Sequence, residues 1–188
     1  MKKKILALAL IVICLSIVAY GTTAYFTYDI IATHVITAGN VRIELEQLAI
    51  LTPGGAPIEF DRPNDVVPGT TVSKIVQVKN TGYAAAWVRL ALTKEIILAS
   101  GVTGEVDLSL VSYEINEEYW AEQDGWFYYL KPLEAGATTE PIFTEISFAA
   151  SMSNMYQKSQ SKINVLALAV QTVYNGESVF EAAGWPEA

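Results

Sequence analysis

The stretch VPGTTVSKIVQVKNTGYAAAWVRLALT, residues 67–93, holds two candidate strands and the turns that bound them. It opens with a Pro-Gly turn and is divided by an Asn-Thr-Gly turn, both common turn sequences. Between and beyond these turns, apolar residues recur at even spacing: Val72, Val76 and Val78, then Val88, Leu90 and Leu92. A period of two is typical of strands with one buried face. The stretch therefore predicts two half-buried strands separated by a turn.

Alternation and turn residues recur along the rest of the chain. Single strands are predicted over residues 40–48, 106–115, 141–148 and 162–174, the last as a central strand. In the first of them, Val41, Ile43 and Leu45 form the apolar face. Residues 119–130 predict a hairpin that turns at Asp124-Gly125. Helical patterns are scarce. About eight short strands with turn punctuation predict an all-β fold, a single β-sandwich of the jelly-roll or Ig-like kind.

Residues 1–24 have the three parts of an export signal. Lysines at residues 2–4 precede an apolar run over residues 5–20, and small residues follow. This run is shorter than the roughly 20 apolar residues that span a membrane. We predict cleavage between Ala24 and Tyr25, with retention as a membrane anchor as the alternative. The predicted organisation is a signal peptide over 1–24, an N-terminal strand over 25–36 and a β-sandwich domain over 37–188.

Charge and cysteine content narrow the class of protein. The 188 residues include 20 acidic and 12 basic side chains, for a net charge of -8. Loss of the three signal lysines leaves 9 basic residues and a net charge of -11. Such a chain lacks the clustered cations that bind nucleic acid, so we expect no nucleic-acid partner. Cleavage also removes Cys14, the one cysteine, so an exported chain relies on its packed core without disulfides.

The segment after the predicted cleavage site alternates as well. Phe26, Tyr28, Ile30 and Ala32 fall on one apolar side. A terminal strand of this kind can pair within its own sandwich, or it can add to the sheet edge of the next subunit through main-chain hydrogen bonds. The second arrangement is head-to-tail and grows into a fibre. Because the signal peptide tethers this strand, we expect cleavage by signal peptidase to release it for assembly.

Four pieces of the chain, in order, resemble the TasA/camelysin family of exported bacterial proteins. They are TTAYFTYD, ITAGNVRIEL, VPGTTVSKIVQVKNTGYAAAWVRL and SMSNMYQKSQSKINVLALAVQTVYNG. Residues 95–139 carry the least of the resemblance. It implies a jelly-roll-like sandwich, a dedicated signal peptidase, and secretion to the cell surface or extracellular matrix of a Gram-positive bacterium. Some members form biofilm fibres, and camelysin has been described as a metalloendopeptidase.

The residues themselves give little support to peptidase chemistry. A zinc hydrolase needs about three protein ligands, usually including histidine, and a general base. The chain has one histidine, His34, and no H-E-x-x-H motif. The acidic residues Glu117, Glu118, Glu122 and Asp124 lack the spacing of a calcium-binding loop. We therefore expect no enzymatic activity, no metal site and no cofactor.

The aromatic residues of the 119–130 hairpin are a candidate surface for a partner. Trp120, Trp126 and Tyr128 could stack on a carbohydrate or protein group, although such residues more often pack across strands.

Three functions follow: a fibre-forming structural protein, a monomeric or anchored surface protein that uses this hairpin, and a secreted metalloendopeptidase. The N-terminal strand favours the first. Its expected partners are further copies of the chain and other matrix or cell-surface proteins, with membrane contact only through an uncleaved signal.

Overall fold

The computed structural model describes residues 27–28, 34–37, 41–60 and 66–187. Several predicted features lie outside these ranges: the signal peptide, the cleavage site at Ala24 and Tyr25, and Phe26, Ile30 and Ala32 of the assembly strand. In the described part of the chain, no helix has the length and apolar character needed to cross a membrane.

The described residues form strands and two short 3-10 helices, Leu108–Leu110 and Asn154–Tyr156. In chain order the strands are β1 (Thr27–Tyr28), β2 (His34–Thr37), β3 (Ile43–Ala49), β4 (Ile58–Glu59), β5 (Thr71–Asn80), β6 (Ala86–Ile97), β7 (Val111–Ser112), β8 (Trp120–Gln123), β9 (Trp126–Tyr129), β10 (Phe143–Phe148) and β11 (Gln160–Gln171). The first sheet has the order β1-β11-β6-β9-β8, with β2 also beside β11. The second has the order β4-β3-β5-β10-β7.

The two sheets pack face to face around one main core, so the predicted all-β sandwich is confirmed. The alternating residues of the opening stretch line this core, and Val76, Val78, Val88 and Leu90 are completely buried. Strand β11 pairs with β6 along all of its 12 residues. Its other edge carries β1 and β2, so its predicted central position is also confirmed.

The predicted strand over residues 106–115 is wrong for most of its length. The chain instead forms the 3-10 helix Leu108–Leu110, and strand structure is confined to the two residues of β7. Asp107 explains the difference, because its side chain accepts hydrogen bonds from the backbone N–H and the hydroxyl of Ser109. These bonds cap the helix and lower the pKa of Asp107. Local side-chain bonding of this kind competes with strand formation despite an alternating pattern.

The predicted hairpin over residues 119–130 is confirmed. Strands β8 and β9 pair from Trp120 with Tyr129 to Gln123 with Trp126. The two turn residues, Asp124 and Gly125, have φ angles of 52° and 79°. Two successive left-handed residues make the turn type whose twist matches the flanking strands, and Asp-Gly is among the sequences that adopt it most readily.

One charged residue lies inside the sandwich. Lys74 is on the inward face of β5, two residues from Val76, and is 0% exposed. Its Nζ donates a hydrogen bond to Gln47 Oε1 at 2.6 Å and lies 3.5 Å from the centre of the Phe60 ring. Burial disfavours the charged amine and lowers the pKa of Lys74 to about 7.

Replacing Lys74 with Met should change how the free energy of unfolding depends on pH. The native pKa of about 7 lies below the unfolded value of about 10.4. Between these values the unfolded chain binds a proton that the native chain lacks, so the wild-type free energy of unfolding rises with pH relative to Lys74→Met. We expect the free energy of unfolding of the wild type, minus that of Lys74→Met, to increase by on the order of 2 kcal/mol from about pH 7 to about pH 9. Urea unfolding at each pH measures both values.

Lys79→Met is the matched control, because Lys79 is partly exposed and lies 3.8 Å from a Glu46 carboxylate oxygen. It should show no such rise in this range. If the free energies of unfolding of the wild type and Lys74→Met differ by the same amount at every pH, the amine of Lys74 is not neutral in the folded protein.

Candidate assembly interface

The outer edge of β11, on the side away from β6, is completed by the N-terminal strands. Thr27 and Tyr28 pair with Gln160 and Ser161. The four residues of β2 pair with the stretch from Leu166 to Ala169. Both strands run parallel to β11, whereas β6 on the other side is antiparallel. Within the described ranges, the N-terminal segment is thus the element that covers this edge.

The two N-terminal strands follow β11 in registers that differ by one residue. Tyr28 is aligned with Ser161, an offset of 133 positions, and Val35 with Ala167, an offset of 132. Both β11 partners are buried, and Ala167 belongs to the main core. Val35 is partly buried and packs against that core. The pairing of β1 and the pairing of β2 with β11 are therefore out of register with each other by one residue.

The N-terminal strands are joined to the rest of the sandwich through a short connection. Strand β2 ends at Thr37 in the first sheet, and β3 begins at Ile43 in the second. The Arg42 carbonyl accepts hydrogen bonds from Thr81 N at 2.9 Å and Gly82 N at 3.0 Å. We call this end of the sandwich, with Arg42 and the loops 81–85 and 172–176, the junction end. In the sequence, five residues separate the end of β2 from the start of β3.

Asn80 holds the first loop of the junction end. It is completely buried, and its side-chain amide donates to the Ala84 carbonyl at 2.8 Å and the Leu133 carbonyl at 2.9 Å. Its side-chain oxygen accepts from Gly82 N at 2.9 Å. The predicted Asn-Thr-Gly turn is present, and Gly82 contributes its N–H to it without a positive φ.

Asn175 holds the second loop, and sequence reasoning missed it. Its side chain donates to the carbonyls of Gln171 and Ala183 and accepts from Ala183 N at 2.8 Å. Its own carbonyl accepts from the Trp87 indole at 3.0 Å. These bonds fasten the C-terminal segment onto the outer face of the first sheet, where Val179 packs in a second apolar cluster. The Asn-Gly dipeptide at 175–176 signalled a turn, but nothing in the sequence signalled the partner on β6.

The aromatic residues of the hairpin lie on two different faces of the first sheet. Trp120 is 1% exposed in the main core, and its indole donates to the Glu140 carbonyl at 3.0 Å. Tyr128 and Trp126 belong to the outer cluster, where the Arg89 guanidinium carbon lies 4.0 Å from the centre of the Trp126 ring. Trp120, Trp126 and Tyr128 therefore do not share one exposed platform.

Glu140 ties the hairpin to the start of β10. Its carboxylate accepts a hydrogen bond from the Tyr129 hydroxyl. Burial, together with this bond, raises the pKa of Tyr129, while the same bond lowers the pKa of Glu140. The pair thus keeps a proton on the phenol and a charge on the carboxylate, which suits an anchor more than a proton-transfer site.

Among the described residues, no group of three His, Cys, Asp or Glu side chains is placed to hold a metal ion. His34 lies in β2, opposite Leu166 in the pairing with β11. A polar cavity of about 230 Å³ lies beside β7 and β10 of the second sheet, whereas His34 belongs to the first sheet; the cavity is lined by Ser112, Tyr113, Glu114, Thr144, Glu145 and Ser147.

A scan against models of protein families, a search of curated proteins and a search of solved structures each find no match to this chain. The resemblance to the TasA/camelysin family therefore rests on the residues quoted above.

Replacing Asn80 with Ala should destabilise the protein by about 2–4 kcal/mol, since three backbone groups, among them the buried Leu133 carbonyl, each lose a hydrogen bond at once. Asn175→Ala is the comparison, because Asn175 is partly exposed and water can replace its bonds; a loss of about 1 kcal/mol is expected. Urea unfolding at neutral pH measures both. If both variants lose the same small amount of free energy of unfolding, Asn80 does not anchor the junction end.

Proposed function

We propose that this chain is a secreted structural protein that assembles into fibres at the cell surface or in the extracellular matrix. In the fibre, the N-terminal strand of each copy pairs with β11 of the next copy. The observation that carries the proposal is the way the outer edge of β11 is covered, by parallel strands joined to the body through five residues.

Strand exchange is plausible because it conserves the contacts made in one copy. The backbone bonds to β11 and the packing of Val35 beside Ala167 are the same whether β1 and β2 come from the same copy or from a neighbour. Exchange of identical elements is a low-cost route to assembly, and a head-to-tail exchange does not close on itself. A single copy fills its own edge, and concentration favours exchange between copies.

In this proposal, cleavage of the predicted signal peptide determines when strand exchange can begin. Cleavage after Ala24 would leave two residues, Tyr25 and Phe26, before β1. Until then the strand is tethered to a membrane-embedded segment and cannot enter a neighbour. The family resemblance supports secretion and fibre formation, and the acidic, disulfide-free chain suits an extracellular location in a Gram-positive bacterium.

Removal of the N-terminal strands should abolish filament formation. The chain that begins at Tyr25 contains every described residue, and it should form regular filaments in negative-stain electron microscopy. The chain that begins at Ala38 lacks β1 and β2 and should form none, because the donor is missing. Filaments from the shorter chain, or a folded monomer at high concentration from the longer one, would contradict the proposal.

A second experiment restores the strand in trans. A synthetic peptide of residues 25–37 should bind the chain that begins at Ala38 and raise its melting temperature, because it supplies the missing partner of β11. The matched control is the same peptide with Val35→Asp, which places a carboxylate opposite Ala167 at the core. Equal effects from the two peptides would contradict pairing in the register seen here.

A further inference from the structure

Two tyrosines at the junction end are fully exposed. Tyr83, in the loop after β5, is 99% exposed, and Tyr174, in the loop after β11, is 104% exposed. Val173 beside Tyr174 is also exposed. Large aromatic side chains without any protein contact are unusual on a monomer, and aromatic residues are enriched at interfaces between proteins.

Both tyrosines are carried by loops that are held in place. Asn80 fixes the loop of Tyr83 with three side-chain hydrogen bonds. Asn175, the residue after Tyr174, fixes the other loop through its side chain and carbonyl. The loops are also joined to each other, since Thr172 N and Thr172 Oγ1 both donate to the Ala85 carbonyl.

The backbone at Tyr174 is strained. Its φ angle is 55°, in the left-handed region that a bulky aromatic residue rarely adopts. Asn is tolerated there far better than Tyr. The tyrosine therefore gains nothing for the fold at this position, neither through packing nor through local backbone preference. Observed strain of this kind points to a role outside the folded copy itself.

The position of the tyrosines relative to the N-terminal strands indicates what they contact. Tyr83 follows Thr81 and Gly82, whose N–H groups bind the Arg42 carbonyl at the end of the connection. Tyr174 lies five residues beyond Ala169, the partner of Thr37 at the end of β2. Arg42 is therefore bonded to the loop that carries Tyr83, and Thr37 pairs near the end of the strand that leads into the loop of Tyr174.

We propose that Tyr83 and Tyr174 form a second contact between neighbouring copies in the fibre. This inference rests on the proposed strand exchange. A fully extended connection from Thr37 to Ile43 reaches roughly 20 Å, so exchange keeps the body of the donor copy close to the junction end of the acceptor. Tyrosines on fixed loops lose little conformational entropy when they are covered, which makes them effective interface residues.

The test compares filament growth of the chain that begins at Tyr25 with that of its Tyr83→Ser/Tyr174→Asn double variant. Both substitutions are at exposed positions, and Asn suits the left-handed backbone, so the melting temperature should not fall. The critical concentration for filament growth, measured by light scattering, should rise about tenfold. Leu51→Ser is the matched control, because Leu51 is 75% exposed but lies beyond β3 at the opposite end of the sandwich; it should leave the critical concentration unchanged.

The outcomes separate this contact from the proposed function. If the wild-type chain forms filaments and the double variant grows at the same critical concentration, the tyrosine contact is overturned while strand exchange stands. If Leu51→Ser weakens growth as much as the double variant, the contact is not specific to the junction end and is likewise overturned. If the wild-type chain forms no filaments, the fibre itself is overturned, and the tyrosine contact with it.

Discussion

The outer edge of β11 needs hydrogen-bond partners, and the rest of the molecule is arranged around that need. Strand β11 carries buried residues on both faces, with Ile163 and Val165 in the main core and Val170 under the C-terminal segment. A strand covered on both faces cannot leave its backbone groups unpaired without a free-energy cost, and an uncovered edge is a template for other chains. The N-terminal strands meet this need while remaining tied to the body by a short connection. In the proposed fibre, the same edge would receive the N-terminal strand of a neighbouring copy.

Packing between the two sheets and a few buried hydrogen bonds hold the sandwich together. The protein has a large core and no cysteine after residue 14, so its stability derives from sheet packing and from buried polar anchors such as Asn80. Lys74 is an exception within the core, since its amine is held by one amide oxygen and an aromatic ring. Its lowered pKa makes stability sensitive to pH in the neutral to alkaline range.

Much of the sandwich could be predicted from alternation alone, because a buried face imposes a period of two on a strand. The same rule puts Lys74 on the buried face, because it shares that face with Val76, although a charged side chain is rarely found there. The hairpin was predictable from Asp-Gly, and its register puts Trp120 and Trp126 on opposite faces. Asp107 and Asn175 could not be found in this way, because their effects depend on hydrogen bonds that alternation does not encode. The exposure of Tyr83 and Tyr174 likewise depends on loops whose shape is fixed by tertiary contacts.

The most direct measurement is a disulfide between copies. Residues 25–188 contain no cysteine, and Val35 and Ala167 are directly paired on adjacent strands, at a spacing of about 5 Å that suits a disulfide. Filaments would be grown from an equal mixture of a Val35→Cys chain and an Ala167→Cys chain, and then oxidised. Strand exchange predicts covalent dimers that contain one chain of each kind, and neither variant alone should give them. Filaments that yield no mixed dimers, while a chain with both substitutions closes an internal disulfide, would show that the N-terminal strand stays in its own copy.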